Sequence, residues 1–421
     1  MSILASIAVP AELREAVSEQ AWLEAMLDAE RALANAESLA GAIPAAAAAA
    51  IAEQCRAELY DWSELAEQGR AVGNPAEPLV RALRAAVGGE AAGYVHFGAT
   101  SQDIVDTAAM LVARRALELV LGQLDGAVDA AAELARRHRS TPAAARTLLQ
   151  QAVPTTFGLR AAGWLVALLE ARRGLRGIEL AAQLGGAAGT LAPLGDDAAE
   201  VLSLYAAELD LAEPALPWHA NRVRVAQLGG ALDVAAGVAA KIGLDVILLS
   251  QTELGEVAEA DGGSSSTMPQ KRNPVGSTLA RACALLVHGH ASVLTGAHEL
   301  ERAAGAWHAE WDALTGALAY AGGATAAIRG VLEGLEVDEE RLRANMSDEL
   351  TAEQVAYELG RERADELLAA GGPFPDPTGY LGSAQAFVDR ALALWEEDGG
   401  VGSTEPPKSG GAGFAGAGAD Q

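Results

Sequence analysis

The spacing of proline is the feature that most restricts how this chain can fold. Among its 421 residues, no proline occurs between Pro78 and Pro142 or between Pro274 and Pro373. Proline inside a helix removes a backbone donor and clashes with the preceding turn, so these intervals leave room for unbroken helices. A helix over residues 107–138 would be about 45 Å long at the usual rise per residue. The spacing therefore predicts a bundle of long helices.

The composition favours the same class of fold. Half of the residues are hydrophobic, only 4% are aromatic, and alanine is abundant, a balance that suits helices packed closely through small side chains. Trp22, Met26, Ala29 and Leu33 recur at helical spacing and predict an amphipathic helix early in the chain. A second bundle helix is expected over residues 223–259, where glycines would allow close helix packing. We expect an all-α protein.

The charge balance limits the partners of the chain. Thirty Lys and Arg residues against 57 Asp and Glu residues give a formal net charge of −27, which repels nucleic acid and anionic membrane surfaces. We expect neither partner. The same charge would repel an anionic substrate, so a site for a polycarboxylate must be locally positive, built from a few Arg or Lys residues and helix N-termini.

Cysteine content and the apolar segments bear on the compartment. Cys55 and Cys283 are the only cysteines, too few for a disulfide scaffold, and we expect both to be buried packing residues. The first ten residues lack a basic stretch followed by a long apolar run, and no later segment has the length of an uncharged membrane span. These features predict a cytoplasmic protein.

Residues 262–274, GGSSSTMPQKRNP, carry the sharpest local signal. Gly262 and Gly263 permit unusual backbone angles, the serines offer hydroxyl groups, and Asn273-Pro274 suits the N-cap and first position of a following helix. On composition alone the segment is a mobile loop followed by a cap. That interpretation leaves Met268 and Lys271 at their fixed spacing unexplained.

Two further segments carry clustered polar residues. In HFGATSQDIVDTA, residues 96–108, Thr100 or Ser101 can cap a helix with Asp103 as the capping partner, and backbone amides there suit a substrate carboxylate. A purely structural cap is the alternative. In ARTLLQQAVPTTFG, residues 145–158, polar side chains surround two leucines.

Together the three segments resemble the motifs of the fumarase/aspartase superfamily. Residues 262–274 match its Gly-Ser-Ser-x-Met-Pro-x-Lys-x-Asn signature, with Ser264 where the pattern has Gly. The resemblance implies a three-domain, all-α fold whose central long-helix bundle forms a twenty-helix core in a homotetramer, with active sites shared between subunits. It also implies a helical N-terminal domain over residues 1–106, a central bundle domain over 107–340 and a small helical C-terminal domain over 341–396. The Gly-rich composition of residues 397–421, which offer almost nothing to bury, predicts a disordered tail.

The resemblance also assigns roles to individual residues. Ser265, six residues before Lys271, would be the catalytic base, assisted by Lys271 and Asn273, and no metal or organic cofactor would be required. His219 and Arg222 in the tract PWHANR are further candidate site residues. Contacts with a small polycarboxylate substrate are implied for His96, Thr100, Ser101, Arg146, Thr147, Gln150, Ser266, Met268 and Arg302.

Leu148 departs from the superfamily pattern. The second motif usually reads Arg-Thr-His-x-Gln-x-Ala-x-Pro, and Leu148 stands at the position of the histidine implicated in proton donation. An adenylosuccinate lyase or a fumarase expels a group that gains from protonation, whereas a carboxylate that opens or closes a lactone needs no acid. The departure therefore favours the carboxymuconate cycloisomerase branch. An adenylosuccinate-type lyase and a non-catalytic structural member remain as alternatives.

Overall fold

The computed structural model describes residues 3–260, 262–264, 268, 271–296, 298–299 and 304–399. Within these residues the chain is mainly helical, as predicted, with a few short strands. The helices are α1 Ala11–Ala16, α2 Glu19–Leu39, α3 Ala45–Gln54, α4 Trp62–Val72, α5 Ala76–Val87, α6 Ser101–Arg137, α7 Phe157–Arg176, α8 Ala198–Glu208, α9 Val223–Leu249, α10 Val275–Leu294, α11 Ala306–Glu333, α12 Glu339–Ala344, α13 Ala352–Leu359, α14 Arg361–Ala370 and α15 Ala384–Glu397. The strands are β1 Pro142–Thr147, β2 Gln150–Thr156, β3 Val257–Glu259, β4 Gly263–Ser264, β5 Arg272–Asn273 and β6 Leu335–Val337.

The chain divides into two compact units. The first comprises Met1–Ala127 and Glu170–Val337, and the second comprises Val128–Leu169 and Asp338–Gln421. The three-domain division with a separate tail stays a prediction. Of the tail, only residues 397–399, at and just after the end of α15, belong to the described residues.

In the first unit, α9, α10 and α11 pack on one another, and α2 packs on α3 and α8. Close contact between α9 and α10 depends on glycine, as predicted. A Cβ atom at Gly243 would lie 2.9 Å from the carbonyl oxygen of Ser277, and one at Gly229 would lie 2.9 Å from Leu294. Side chains at either position would push the two helices apart.

The second bundle helix is shorter than predicted. Helix α9 ends at Leu249, and the chain turns back so that the amide of Glu256 donates to the carbonyl of Leu249 (2.9 Å). Gly255 has a φ of +60° in this turn, a backbone conformation that favours glycine. The residues that follow form β3, which pairs antiparallel with β6.

In the second unit, β1 and β2 form an antiparallel hairpin beside α12 and α15. Arg139 holds α15 through a two-pronged ion pair with Asp389, with both N···O distances 2.6 Å. The indole N–H of Trp395 donates to Asp129 (2.9 Å). These contacts tie α15 to the C-terminal part of α6 and to the segment just after it within this unit.

Both cysteines are buried, as predicted. Burial raises the pKa of Cys55 to about 12 and that of Cys283 to about 11. Both thiols therefore remain protonated at neutral pH. Among the described residues, no helix is both long enough and apolar enough to span a membrane.

Candidate active site

The first motif forms the N-terminal end of α6, the helix predicted over residues 107–138. Ser101 begins the helix, and the amide of Thr100 donates to Asp103 (2.9 Å), so Asp103 is the capping partner that the sequence predicted. Because Asp103 already accepts from the Thr100 amide, that amide is not available to a substrate. The side chains of Thr100 and Ser101 are half-buried at this helix end, where the helix dipole favours an anion.

Asp103 is also the centre of a buried hydrogen-bond cluster. Its carboxylate accepts from the amides of Gly185 (3.0 Å) and Gly186 (2.9 Å) and lies 2.6 Å from Nε2 of His219. Gly186 has a φ of +66°, and a Cβ atom there would lie 2.6 Å from the carbonyl oxygen of Gly98. Only glycine fits this close approach, which fixes the turn that precedes α6.

A second buried cluster lies one turn further along α6. The guanidinium of Arg222 donates to both oxygens of Asp106 (2.7 and 2.9 Å) and to both oxygens of Glu310, with Nε 3.0 Å from Oε1. The indole N–H of Trp307 also donates to Asp106 (2.9 Å), and the guanidinium lies over the ring of Trp218. Four hydrogen bonds thus tie Arg222 to protein carboxylates, which favours a structural role over the predicted role as a site residue.

His96 is held by a residue that the motifs did not single out. Its Nδ1 lies 2.6 Å from Oε1 of Glu30 on α2, and Glu30 is 1% exposed. Glu30 follows Met26 by four residues and precedes Leu33 by three, so it occupies the apolar face of the predicted helix. A carboxylate on such a face is the sequence signal that could have identified it, because buried acids need partners.

The two ends of the serine loop are paired. Strand β4 pairs antiparallel with β5 in the register Gly263↔Asn273, and the side-chain amide of Asn273 donates to the carbonyl of Gly263 (3.1 Å). Lys271 and Met268 are exposed. The predicted catalytic Ser265 and the predicted substrate contacts Ser266 and Arg302 lie outside the described residues.

The predicted N-cap of the following helix is wrong. Helix α10 begins one residue later than predicted, with Pro274 at the N-cap position, and the side-chain amide of Asn273 donates to Gly263. The carboxylate of Glu259 caps α10 from β3, accepting from the amides of Gly276 and Ser277 (2.9 Å each). An acid at a helix N-terminus satisfies these amides and complements the helix dipole.

The second motif forms the β1–β2 hairpin in the second unit. Thr147 pairs with Gln150 across a two-residue turn, and both turn residues, Leu148 and Leu149, have positive φ (51° and 64°). Glycine or asparagine is usual in such turns, so two leucines there are unfavourable. Leu148 is 97% exposed. Arg146 is half-buried, whereas Thr147 and Gln150 are exposed beside the tip.

A cavity of about 940 Å³ lies in the first unit. Val105, one turn after Ser101 on α6, contributes to its wall, as does Trp311, which packs edge-to-face on Trp307. None of the predicted site residues that the structure describes lines it. The other large or charged side chains of the wall are Trp22, Trp62, Arg14, Arg70, Glu19 and Asp312.

The predicted site residues thus lie in three places. In the first unit, His96 and Thr100 lie just before α6 and Ser101 is its first residue. Met268, Lys271 and Asn273 belong to the serine loop or border it. Arg146, Thr147 and Gln150 belong to the hairpin of the second unit. The first unit thus carries the long-helix bundle, the serine loop and the capped helix entry that the resemblance to the lyase superfamily predicts.

The comparisons with known proteins identify the same class. A lyase family profile matches residues 7–289, so the chain belongs to this lyase family, and the predicted superfamily is confirmed. The chain is 43% identical to a nitrosuccinate lyase from Streptomyces davaonensis, over 93% of this chain and 94% of that protein. It is 43% identical to a 3-carboxy-cis,cis-muconate cycloisomerase from Pseudomonas aeruginosa, over 91% and 94%. The crystal structure of the 3-carboxy-cis,cis-muconate lactonizing enzyme from Pseudomonas putida matches with a TM-score of 0.86 and 38% identity, covering 93% of this chain and 98% of that one.

Proposed function

We propose that this protein is a 3-carboxy-cis,cis-muconate cycloisomerase that interconverts its substrate with 4-carboxymuconolactone. The similarity to cycloisomerases carries the proposal, since relatives with this activity match at 40–43% identity over most of both chains. Leu148 supports it, because the group that attacks or leaves is a carboxylate that is stable without a proton. The product is an intermediate of the kind formed in aromatic catabolism through protocatechuate.

In the forward direction, one carboxylate oxygen adds to the conjugated double bond and forms the lactone C–O bond. The electron pair of that double bond moves to the adjacent carbon and is stabilised by the neighbouring carboxylate. The hydroxyl of Ser265 then donates a proton to this carbon and recovers one from solvent. The trianionic substrate thus takes up one proton and becomes a dianionic lactone.

In the reverse direction, the alkoxide of Ser265 removes that proton and the lactone carboxylate leaves. A serine hydroxyl is a weak base at its ordinary pKa, so it needs a positive, water-excluded setting. Lys271 would supply the charge and Asn273 a donor to the developing oxyanion. Thr100, Ser101 and the N-terminus of α6 would bind a second carboxylate.

A nitrosuccinate lyase is the second candidate, because one of the relatives at 43% identity has this activity. Elimination of nitrite from nitrosuccinate leaves fumarate, and nitrite is a stable anion that also needs no acid. Leu148 therefore disfavours an adenylosuccinate-type lyase without separating these two candidates. A non-catalytic role is disfavoured by the intact serine motif.

Turnover assays with three substrates test the function directly. We expect 3-carboxy-cis,cis-muconate to be converted to its lactone, with loss of the diene absorbance and the product identified by NMR. Nitrosuccinate and adenylosuccinate, assayed by nitrite release and by fumarate formation, should react far more slowly. Nitrite release with a higher kcat/KM than lactone formation would replace the proposal with the second candidate.

We also propose that the protein assembles as a homotetramer with active sites shared between subunits. Apolar side chains on α9 and α10 remain exposed in the single chain, including Val234 (58%) and Leu285 (76%). Exposed apolar faces of this kind usually form an interface with another subunit. The mass of one chain is 43.0 kDa, and light scattering of the purified protein should give four times this mass. A monomer mass would contradict the shared site.

A further inference from the structure

Helix α2 buries two glutamates, Glu30 and Glu37, of which only Glu30 has a hydrogen-bond partner for its carboxylate among the described residues. Neither carboxylate oxygen of Glu37 has a hydrogen-bond partner among the described residues. Burial and the charge of Glu30 raise the pKa of Glu37 to about 9, so this acid is neutral at pH 7. Glu30, seven residues earlier, has a direct partner in Nδ1 of His96 at 2.6 Å.

The ring of His96 is fixed by this contact. Its backbone has a φ of +62°, in a sparsely populated region that persists only where the surroundings enforce it. With Nδ1 held by Glu30, the other ring nitrogen, Nε2, has no hydrogen-bond partner among the described residues, and the His96 side chain is 11% exposed. One ring nitrogen is therefore anchored and the other is available to a ligand.

His96 lies just ahead of the α6 N-terminus, where a substrate carboxylate is expected. We propose, on the basis of the cycloisomerase function, that Glu30 is a positioning residue that holds His96 so that its Nε2–H binds a substrate carboxylate. His96 would then supply one of the positive charges that a polycarboxylate site requires in this strongly acidic chain. Asp103 cannot replace Glu30 as the anchor, because its carboxylate already accepts from three backbone amides and contacts His219.

The charged groups around His96 determine its protonation. Burial lowers the pKa of His96, but the charge and hydrogen bond of Glu30, together with Asp103, more than offset this, and the pKa is raised overall although Arg84 opposes it. Behind Glu30, burial raises the pKa values of Glu37, Cys55 and Tyr205, which keeps these three groups neutral at pH 7. Among the described residues, Glu30 is the carboxylate in direct contact with the ring.

The pH profile of kcat/KM tests the proposal. Binding through the imidazolium is complete below the pKa of His96 and is lost as the pH rises through it. In Glu30→Gln, the carboxylate that opposes the lowering of the His96 pKa by burial is gone. The alkaline limit, the pH above which kcat/KM falls, should therefore move down by about 1–3 pH units. At pH 8 we expect KM to rise more than kcat falls.

Glu37→Gln is the matched control. It also places an amide in a buried position on α2, but it replaces an acid that is neutral at pH 7 and does not contact His96, so its alkaline limit should move far less than that of Glu30→Gln. Glu30→Asp keeps the charge on a shorter side chain and should retain the alkaline limit with a raised KM. An unshifted limit in Glu30→Gln, or an equal shift in Glu37→Gln, would overturn the proposal.

Calorimetric binding of propane-1,2,3-tricarboxylate separates this proposal from the proposed function. If the wild type forms no lactone, the function fails. The role of Glu30 would still be supported if binding of this tricarboxylate weakens at high pH and if this weakening occurs at a lower pH in Glu30→Gln than in Glu37→Gln. No binding to the wild type, or identical pH dependence in both variants, would overturn it. If Glu30→Gln does not assemble, the same titration of Glu30→Asp decides: weaker binding with the wild-type pH dependence supports the proposal, and binding equal to that of the wild type at every pH contradicts it.

Discussion

Replacing Ser265 with alanine is expected to lower kcat for lactone formation by about 10²–10⁴-fold, the usual contribution of a positioned proton-transfer group. The assignment rests on the motif, in which this serine precedes Lys271 by six residues. The paired strands β4 and β5 hold Gly263 and Asn273, on either side of this serine in the sequence, next to each other.

Ser264→Ala is the matched control, because Ser264 stands where the superfamily pattern has glycine and has no assigned hydroxyl function. Its kcat should stay near the wild-type value. Both variants should keep the molar mass of the wild-type assembly by light scattering, so that a loss of turnover reports chemistry. Near-normal kcat in Ser265→Ala would remove Ser265 from its role.

Replacing Arg222 with methionine is expected to lower the apparent free energy of unfolding by about 3–5 kcal/mol, the usual cost of removing one partner of a buried ion pair. Methionine fills much of the space but leaves Asp106 and Glu310 buried without their cation. Both carboxylates are almost fully buried. Urea denaturation at a fixed protein concentration, followed by circular dichroism, measures the difference.

The deficit of Arg222→Met should grow with pH. Burial raises the pKa of Glu310, and Arg222 at present opposes that effect. Without Arg222 the folded state must take up a proton that the unfolded state does not hold above its ordinary pKa of about 4.3. Stability should therefore fall further between pH 5.5 and pH 8.

Arg224→Met provides the comparison for Arg222→Met. Arg224 also lies over the ring of Trp218, but its ion pair with Glu179 is long, 3.3 Å, and Glu179 is 68% exposed. An exposed pair contributes only about 0–1 kcal/mol. Equal losses in the two variants would show that the aromatic contact, and not the buried carboxylates, dominates at this position.

Local sequence was sufficient for the features that depend on short-range patterns. Proline spacing and apolar periodicity predicted the long helix α6 and the early helix α2, because helix formation depends on neighbours within one or two turns. Fixed motif spacing located the serine loop and the capping role of Asp103. These features require no knowledge of distant parts of the chain.

Pairings between distant segments were beyond such reasoning. The bond from Glu30 to His96 joins residues 66 positions apart, and Arg222 meets Glu310 across 88. Glu259 caps α10 in place of Asn273, because the helix begins one residue later than the sequence predicted and its first amides meet the carboxylate of Glu259. The partner of a side chain depends on all the polar groups that packing brings near it. Local composition does not show which groups of other segments these are.

The sequence by itself therefore determined the helical class, the three chemistry-bearing segments and the family, because periodicity and motif spacing are local properties. Only the tertiary structure decided which buried acids have partners, that Arg222 binds Asp106 and Glu310, and that Leu148 lies at an exposed hairpin tip. The physical reason is burial. The protonation and partners of a charged group depend on the groups that folding places around it, and those come from remote parts of the chain.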